Sequence, residues 1–148
     1  MENFKPEIKP VPVSRLFDYL HNFFANTNNV HFTFDAPDKL EINTDENYLQ
    51  TIMHNLTANA VKALKDTTAA TIHWKAEKKG EKVLLSVTDN GPGIAKEKAA
   101  ALFNDTPAAN AKHGLGFYLV RDLAKAIRCS ISLQTPTGSG ATFILEQL

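Results

Sequence analysis

The sequence predicts an α/β layered domain built on a mixed, mostly antiparallel sheet. Three observations lead there. Apolar residues recur at helical spacing in well-separated segments. Short alternating or continuously apolar runs lie between those segments, the pattern of strands. Several of these runs are joined by connections too short for a parallel crossover, which favours antiparallel neighbours. The resulting order is αββαββ, then α, a loop and αββ. In 148 residues it fits one domain with one core.

Residues 1–13 are rich in proline and charge and read as an extended lead-in, with the domain proper at 14–148. Ser14 is placed to cap a helix that carries Leu16, Phe17, Leu20, Phe23 and Phe24 and ends at "ANTNN". "VHFTF" alternates as a strand, "DAPDK" is a turn and "LEIN" a second strand. Thr44 or Asp45 caps the next helix, which runs to about Leu64 with Leu49, Ile52, Met53, Leu56, Ala60, Ala63 and Leu64 apolar. "ATIHWKAEKKGEKVLLSVTD" reads as two strands turning at Gly80. A weak helix, "AKEKAAALF", and a polar, alanine-rich loop, "NDTPAANAKHG", follow "NGPGI". A helix from about Leu115 to Ile127 leads into two last strands, "CSISLQT" and "ATFILEQL", around "PTGSG".

Composition narrows the function classes. Sixteen basic residues balance sixteen acidic ones, so net charge suggests neither a nucleic-acid nor an anionic-membrane partner. No apolar run approaches a membrane span, and "MENFKPEIKP" lacks the apolar core of a secretory signal. Cys129 is the only cysteine, which rules out an intrachain disulfide and fits a reducing, cytoplasmic setting.

Three short stretches carry candidate chemistry. In "HNLTANAVKAL", Asn55 and Asn59 sit one turn apart with Lys62 on the same stripe, beside the apolar face. Each asparagine costs a helix about half a kcal/mol relative to alanine. An amide oxygen there suits a hard cation such as Mg²⁺, and lysine offers a point charge to phosphate. The ordinary alternative is a solvated helix face. In "VTDNGPGI", Asp89 ends an apolar strand, Asn90 and Gly91 signal a turn, and Gly93 permits close backbone approach. A carboxylate there can accept from an exocyclic amine such as adenine N6, with Ile94 over the ring; a plain surface turn is the alternative. In "KHGLGFYLV", Gly114 and Gly116 flank Leu115 where a loop becomes a helix, so free N–H groups and the dipole favour phosphate. Without G-x-G-x-x-G or a Walker lysine, the pair alone is equally a simple helix entry.

Taken in this order, the three stretches resemble the nucleotide-binding boxes of the gyrase, heat-shock chaperone, histidine kinase and mismatch-repair ATPase superfamily. "NLTANAVKA" is similar to the N box, "DNGPGI" to the first glycine box, "GLGFYLV" to the second, and "GATFIL" to the closing strand. Leu102–Phe103 is similar to part of a phenylalanine box. The resemblance implies a two-layer Bergerat-type sandwich, a mixed sheet under three helices. Where the ATPase branch has a water-activating glutamate, this chain has Asn55, and "NLxxNAxK" resembles sensor histidine kinases. That implies Mg²⁺ on Asn59, phosphate on Lys62, and Asn55 orienting phosphate or metal. It further implies adenine on Asp89 with Thr142 beside it, Gly91, Gly93 and Ile94 shaping the pocket, and Gly114, Leu115 and Gly116 facing the phosphates.

The implied reaction is transfer of the γ-phosphoryl of Mg·ATP to a histidine, which needs positioning and charge neutralisation. The chain departs from the family at His113, where a small residue is common, and in the short stretch from Ile94 to Gly114. None of the five histidines resembles the family's acceptor. The expected partners are therefore a separate dimerisation and phosphoacceptor domain and a response regulator, within a longer sensor kinase. The isolated domain is expected to be inactive in autophosphorylation, without direct membrane contact, and cytoplasmic, although the full-length protein could be anchored in the inner membrane. The alternatives are an anti-sigma-type serine kinase and a nucleotide-binding docking module.

Overall fold

The computed structural model describes residues 5–27, 29–94, 115–134 and 140–148. The expected weak helix, the polar loop, Gly114 and most of "PTGSG" lie outside the described residues. The described elements are β1 (Lys9–Pro12), α1 (Val13–Phe23), β2 (Val30–Asp35), β3 (Glu41–Thr44), α2 (Glu46–Ala63), β4 (Ala70–Lys79), β5 (Lys82–Asp89), α3 (Leu115–Ala126), β6 (Cys129–Gln134) and β7 (Ala141–Gln147).

Five strands form one sheet in the order β2-β4-β5-β7-β6. Only β2 and β4 are parallel; the other three pairs are antiparallel. This is the mixed, mostly antiparallel sheet that the short connections predict. Alternation along the strands puts Ile72 and Trp74 of β4, Leu85 and Val87 of β5, and Phe143 and Leu145 of β7 on one buried face. Leu16 and Leu20 of α1, Leu49, Ile52, Met53 and Leu56 of α2, and Phe117 and Val120 of α3 close the core over that face. The opposite face is mostly polar, with Leu84 and Ile144 half-buried on it. Thr33 bonds His73 at 2.6 Å, and Thr88 bonds Thr142 at 3.0 Å across it.

Two expectations need correction. The lead-in is not merely extended: Lys9–Pro12 pairs antiparallel with β3, Val11 opposite Ile42. Its two prolines occupy alternate positions, so the missing N–H groups all fall on one edge, which a two-stranded edge pair tolerates. Ser14 does not cap α1. The helix starts at Val13 with extended Pro12 before it and no side-chain cap bond. The chain turns there because Val13 N donates to Leu40 O at 3.0 Å, which docks the helix start on the loop before β3.

For α2 the cap is Asp45, whose Oδ1 accepts from Tyr48 N at 3.1 Å. Its Oδ2 accepts from Glu7 N at 2.7 Å, tying the lead-in to the same helix end. Arg15 grips Glu46 through two bonds of 2.7 and 2.8 Å, linking the first turns of α1 and α2. The expected apolar stripe of α2 is buried except Ala63, and on α3 Leu119 is exposed.

Candidate functional site

Helix α2 supplies one side of the site. Asn55 is half-buried, and Asn59 and Lys62 are exposed, on the side turned from the sheet. Asn55 is accommodated by a bond within the helix. Thr51 Oγ1 donates to Asn47 O at 2.8 Å, and Asn55 Nδ2 donates to Thr51 O at 2.8 Å. The Asn55 nitrogen is thus engaged within the helix, while no bond to its oxygen occurs among the described residues. Neighbouring His54 faces α1 instead, its Nδ1 bonded to Tyr19 OH at 3.1 Å and its ring edge-on to Phe23.

The turn after β5 supplies the other side. Asp89 is 8% exposed at the strand end, on the helix-covered face. Burial pushes its carboxyl above the usual range, while N–H groups of Gly91 and Ala141 pull it back. Gly91 N donates to Asp89 Oδ1 at 2.9 Å, which fixes the carboxylate and leaves acceptor capacity for a ligand. Asn90 holds the turn from beneath. Its Oδ1 accepts from Thr71 N at 2.7 Å and its Nδ2 donates to Ala69 O at 2.9 Å, pinning the turn to the start of β4.

Glycines let these two sides meet. A Cβ on Gly91 would lie 3.1 Å from Asp89 Oδ1, 3.2 Å from Leu64 Cδ2 and 3.5 Å from Ala63 O. The end of α2 therefore abuts the Asp89 turn, with Lys62 one residue back along the helix. Gly140, at φ +71, donates its N–H to Gly91 O at 2.7 Å, and a Cβ there would overlap the Asp89 carbonyl oxygen. Gly93, at φ +83, faces the Gly140 carbonyl. Ile94 is partly buried against the core at the edge of this turn. Helix α3 begins at Leu115 and packs along α2, so the 115–116 backbone opens a helix beside the amide-bearing one. The site thus combines outward amides and a lysine on one helix, a buried carboxylate on a glycine-shaped turn, and an adjoining helix start. That donor set fits an adenine nucleotide with Mg²⁺: acceptor oxygens for the metal and the exocyclic amine, and a cation for phosphate.

Residues 44–148 match the sequence profile described as histidine kinase-, DNA gyrase B-, and HSP90-like ATPase. The chain belongs to this family. Among its relatives, the sensor-like histidine kinase SenX3 of Mycolicibacterium smegmatis is 31% identical over 85% of this chain and 34% of its own length. The sensor histidine kinase ZraS of Escherichia coli is 32% identical over 82% of this chain and 26% of its own. The chain thus spans about a third or less of these curated relatives. Among solved structures, full-length ShkA in complex with AMPPNP superposes with a TM-score of 0.82 at 26% identity, over 97% of this chain and 31% of that one. Among the described residues, three helices on a mixed five-stranded sheet, with α2 abutting the Asp89 turn, form this ATPase family's sandwich.

The expected place of Thr142 beside Asp89 does not hold. In the β5–β7 register Asp89 faces Ala141, while Thr142 faces Thr88, one residue along and therefore on the polar face of the sheet. The β7 residue on the Asp89 side is Ala141, which is buried and contributes its backbone N–H. Gly140 and the clamping role of Asn90 escaped sequence reasoning. In the sequence, Asn90 signals only a turn with Gly91. Gly140 carried a usable signal, a glycine immediately before an apolar strand, but what it packs against is distant in sequence.

Proposed function

We propose that this domain binds Mg·ATP and delivers its γ-phosphoryl group to a histidine on a separate dimerisation domain, as the catalytic part of a sensor histidine kinase. The observation that carries the reading is the α2 stripe: Asn55, Asn59 and Lys62 stand together without a carboxylate. An amide cannot take a proton from water, so Asn55 cannot act as a general base. The carboxylates at the start of α2 are already committed, Asp45 to two backbone N–H groups and Glu46 to Arg15. Asp89 is held by backbone at the far end of the site. With an amide at Asn55 and these carboxylates engaged, the described residues suit orienting a phosphoryl donor for a protein nucleophile over hydrolysis.

In this reading Asn59 holds Mg²⁺, Lys62 meets phosphate, and Asn55 orients phosphate or metal through its amide oxygen. Asp89 accepts from the adenine amine, with Gly91, Gly93 and Ile94 forming the pocket wall. Gly114, Leu115 and Gly116 offer backbone N–H groups to phosphate. The metal, when bound, neutralises charge between phosphate oxygens. ShkA carries AMPPNP in its complex, and SenX3 and ZraS are named sensor histidine kinases, which supports the same assignment. The phosphorylated histidine would then serve a response regulator. No helix among the described residues is long and apolar enough to cross a membrane, which is compatible with a domain held in the cytoplasm.

Incubation with labelled ATP and a dimerisation domain of this kinase class tests the reading. Acid-labile, base-stable label on histidine is the expected result. Label confined to serine of a protein partner, stable to acid, would replace it with a serine-kinase function.

A further inference from the structure

Thr57 and Trp74 are both 0% exposed, and a hydrogen bond joins them between α2 and β4. An indole N–H can only donate, so Thr57 Oγ1 accepts from Trp74 Nε1, at 3.0 Å. The single hydroxyl proton then goes to Met53 O, at 2.7 Å. The result is a directed chain, Trp74 to Thr57 to Met53, between the centre of the sheet and the middle of the helix. Around it α2 rests on apolar side chains, which choose the buried face of the helix, and the directed chain adds a distance and an angle at one fixed point of that face.

Thr57 is two residues from Asn55 and two from Asn59, about 200° around the helix from each. Any rotation or slide of α2 that stretches the Trp74 bond therefore moves both amides. Asp89 is on the other side of this link. It ends β5, and β4 and β5 share a ladder in which Trp74 faces Val87 and Ile72 faces Asp89. The carboxylate moves with the sheet and the amides move with α2. We infer that Thr57 is a positioning residue: its hydroxyl sets α2 on the sheet so that the amides and Asp89 stand at the separation one nucleotide requires.

This inference rests on reading the site as a Mg·nucleotide pocket, and it predicts a split that general loosening would not produce. Thr57→Val keeps shape and removes the hydroxyl. Mg·ADP touches both halves of the pocket, adenosine only the Asp89 half. In the 148-residue chain, Thr57→Val should weaken Mg·ADP about tenfold, the scale of a small misplacement of binding groups, and leave adenosine unchanged. Thr57→Ser should restore Mg·ADP affinity. Trp74→Phe, which removes the donor from the sheet side, should reproduce the split if the valine variant does not fold. Calorimetry reads Mg·ADP, and ligand-observed NMR reads adenosine. Unchanged Mg·ADP affinity in a folded Thr57→Val or Trp74→Phe variant, or equal loss for both ligands, overturns the positioning role alone. A wild-type chain that bound neither ligand would overturn the nucleotide reading, and the inference with it.

Discussion

Gly80 and Gly140 provide a controlled comparison, because both have left-handed backbone, φ +60 and φ +71, in different surroundings. Alanine in that conformation costs about 1–2 kcal/mol, partly offset by about 0.4–1 kcal/mol from a less flexible unfolded chain. Around Gly80 there is nothing within 4 Å of an added Cβ, so Gly80→Ala should cost about 1 kcal/mol and no more. At Gly140 the same Cβ overlaps the Asp89 carbonyl oxygen and sits 3.3 Å from the Asp89 carbonyl carbon. Relief requires moving Gly140 off the Asp89 turn, which breaks its 2.7 Å bond to Gly91 O and disturbs the Asp89–Ala141 pairing. Added to the same backbone cost of about 1 kcal/mol, a hydrogen bond or two at about 1 kcal/mol each and about 1–3 kcal/mol for overpacking bring the loss to about 3–6 kcal/mol. Trp74 is the only tryptophan and fully buried, so its fluorescence during urea unfolding reports both variants. Nucleotide affinity should follow stability in Gly140→Ala alone, since only there is the Asp89 turn displaced. Equal losses for the two variants, to within about half a kcal/mol, would refute the view that Gly140 exists to let β7 close on the Asp89 turn.

Asn59→Ala should leave the fold intact and lower Mg·ADP affinity, while affinity for ADP measured in EDTA stays constant; an equal fall in both conditions would deny it the metal. Asp89→Asn should reduce the preference for adenine over guanine by about 10–100-fold, the scale of a hydrogen bond to a charged group, as read by competition between the two nucleotides. The Asp89 carboxyl titrates above its ordinary 3.8, and adenine recognition needs its ionised form. Adenine affinity should therefore fall on acidification at a higher pH than an unperturbed aspartate would give, a midpoint that Asp89→Asn abolishes. The stability sign is opposite: the folded state holds this proton more tightly, so the group's favourable contribution is complete below its unfolded value and is lost as pH rises through the raised folded value. Cys129 is buried with its thiol pushed up to about 11, so it should resist thiol-specific reagents at pH 8 until the chain unfolds.

Periodicity carried most of the fold because each helix and strand has one buried face and one wet one. The α2 stripe was legible for the same reason: two amides at i and i+4 violate helix preference together and on one side. Where the sequence misled, the missing information was long-range. The strand at Lys9–Pro12 exists because Glu41–Thr44 lies alongside it, and prolines hide any local strand signal. Motif position alone puts Thr142 beside Asp89, but the side of a sheet to which a residue points follows from register, and one step of register exchanges the faces.

The two halves of the site differ in what holds them, and this bears on how the domain works. Asp89 is held by backbone: Gly91 and Ala141 fix the carboxylate, and Asn90 ties its turn to Ala69 and Thr71. Backbone clamps on adjacent strands move only if the sheet moves. Asn55, Asn59 and Lys62 ride on a helix whose first turn is tied to the lead-in through Asp45 and Glu7, and to α1 through Glu46 and Arg15. In the proposed reading, the adenine contact would therefore rest on the sheet's own ladder, and the metal and phosphate contacts on the seating of α2.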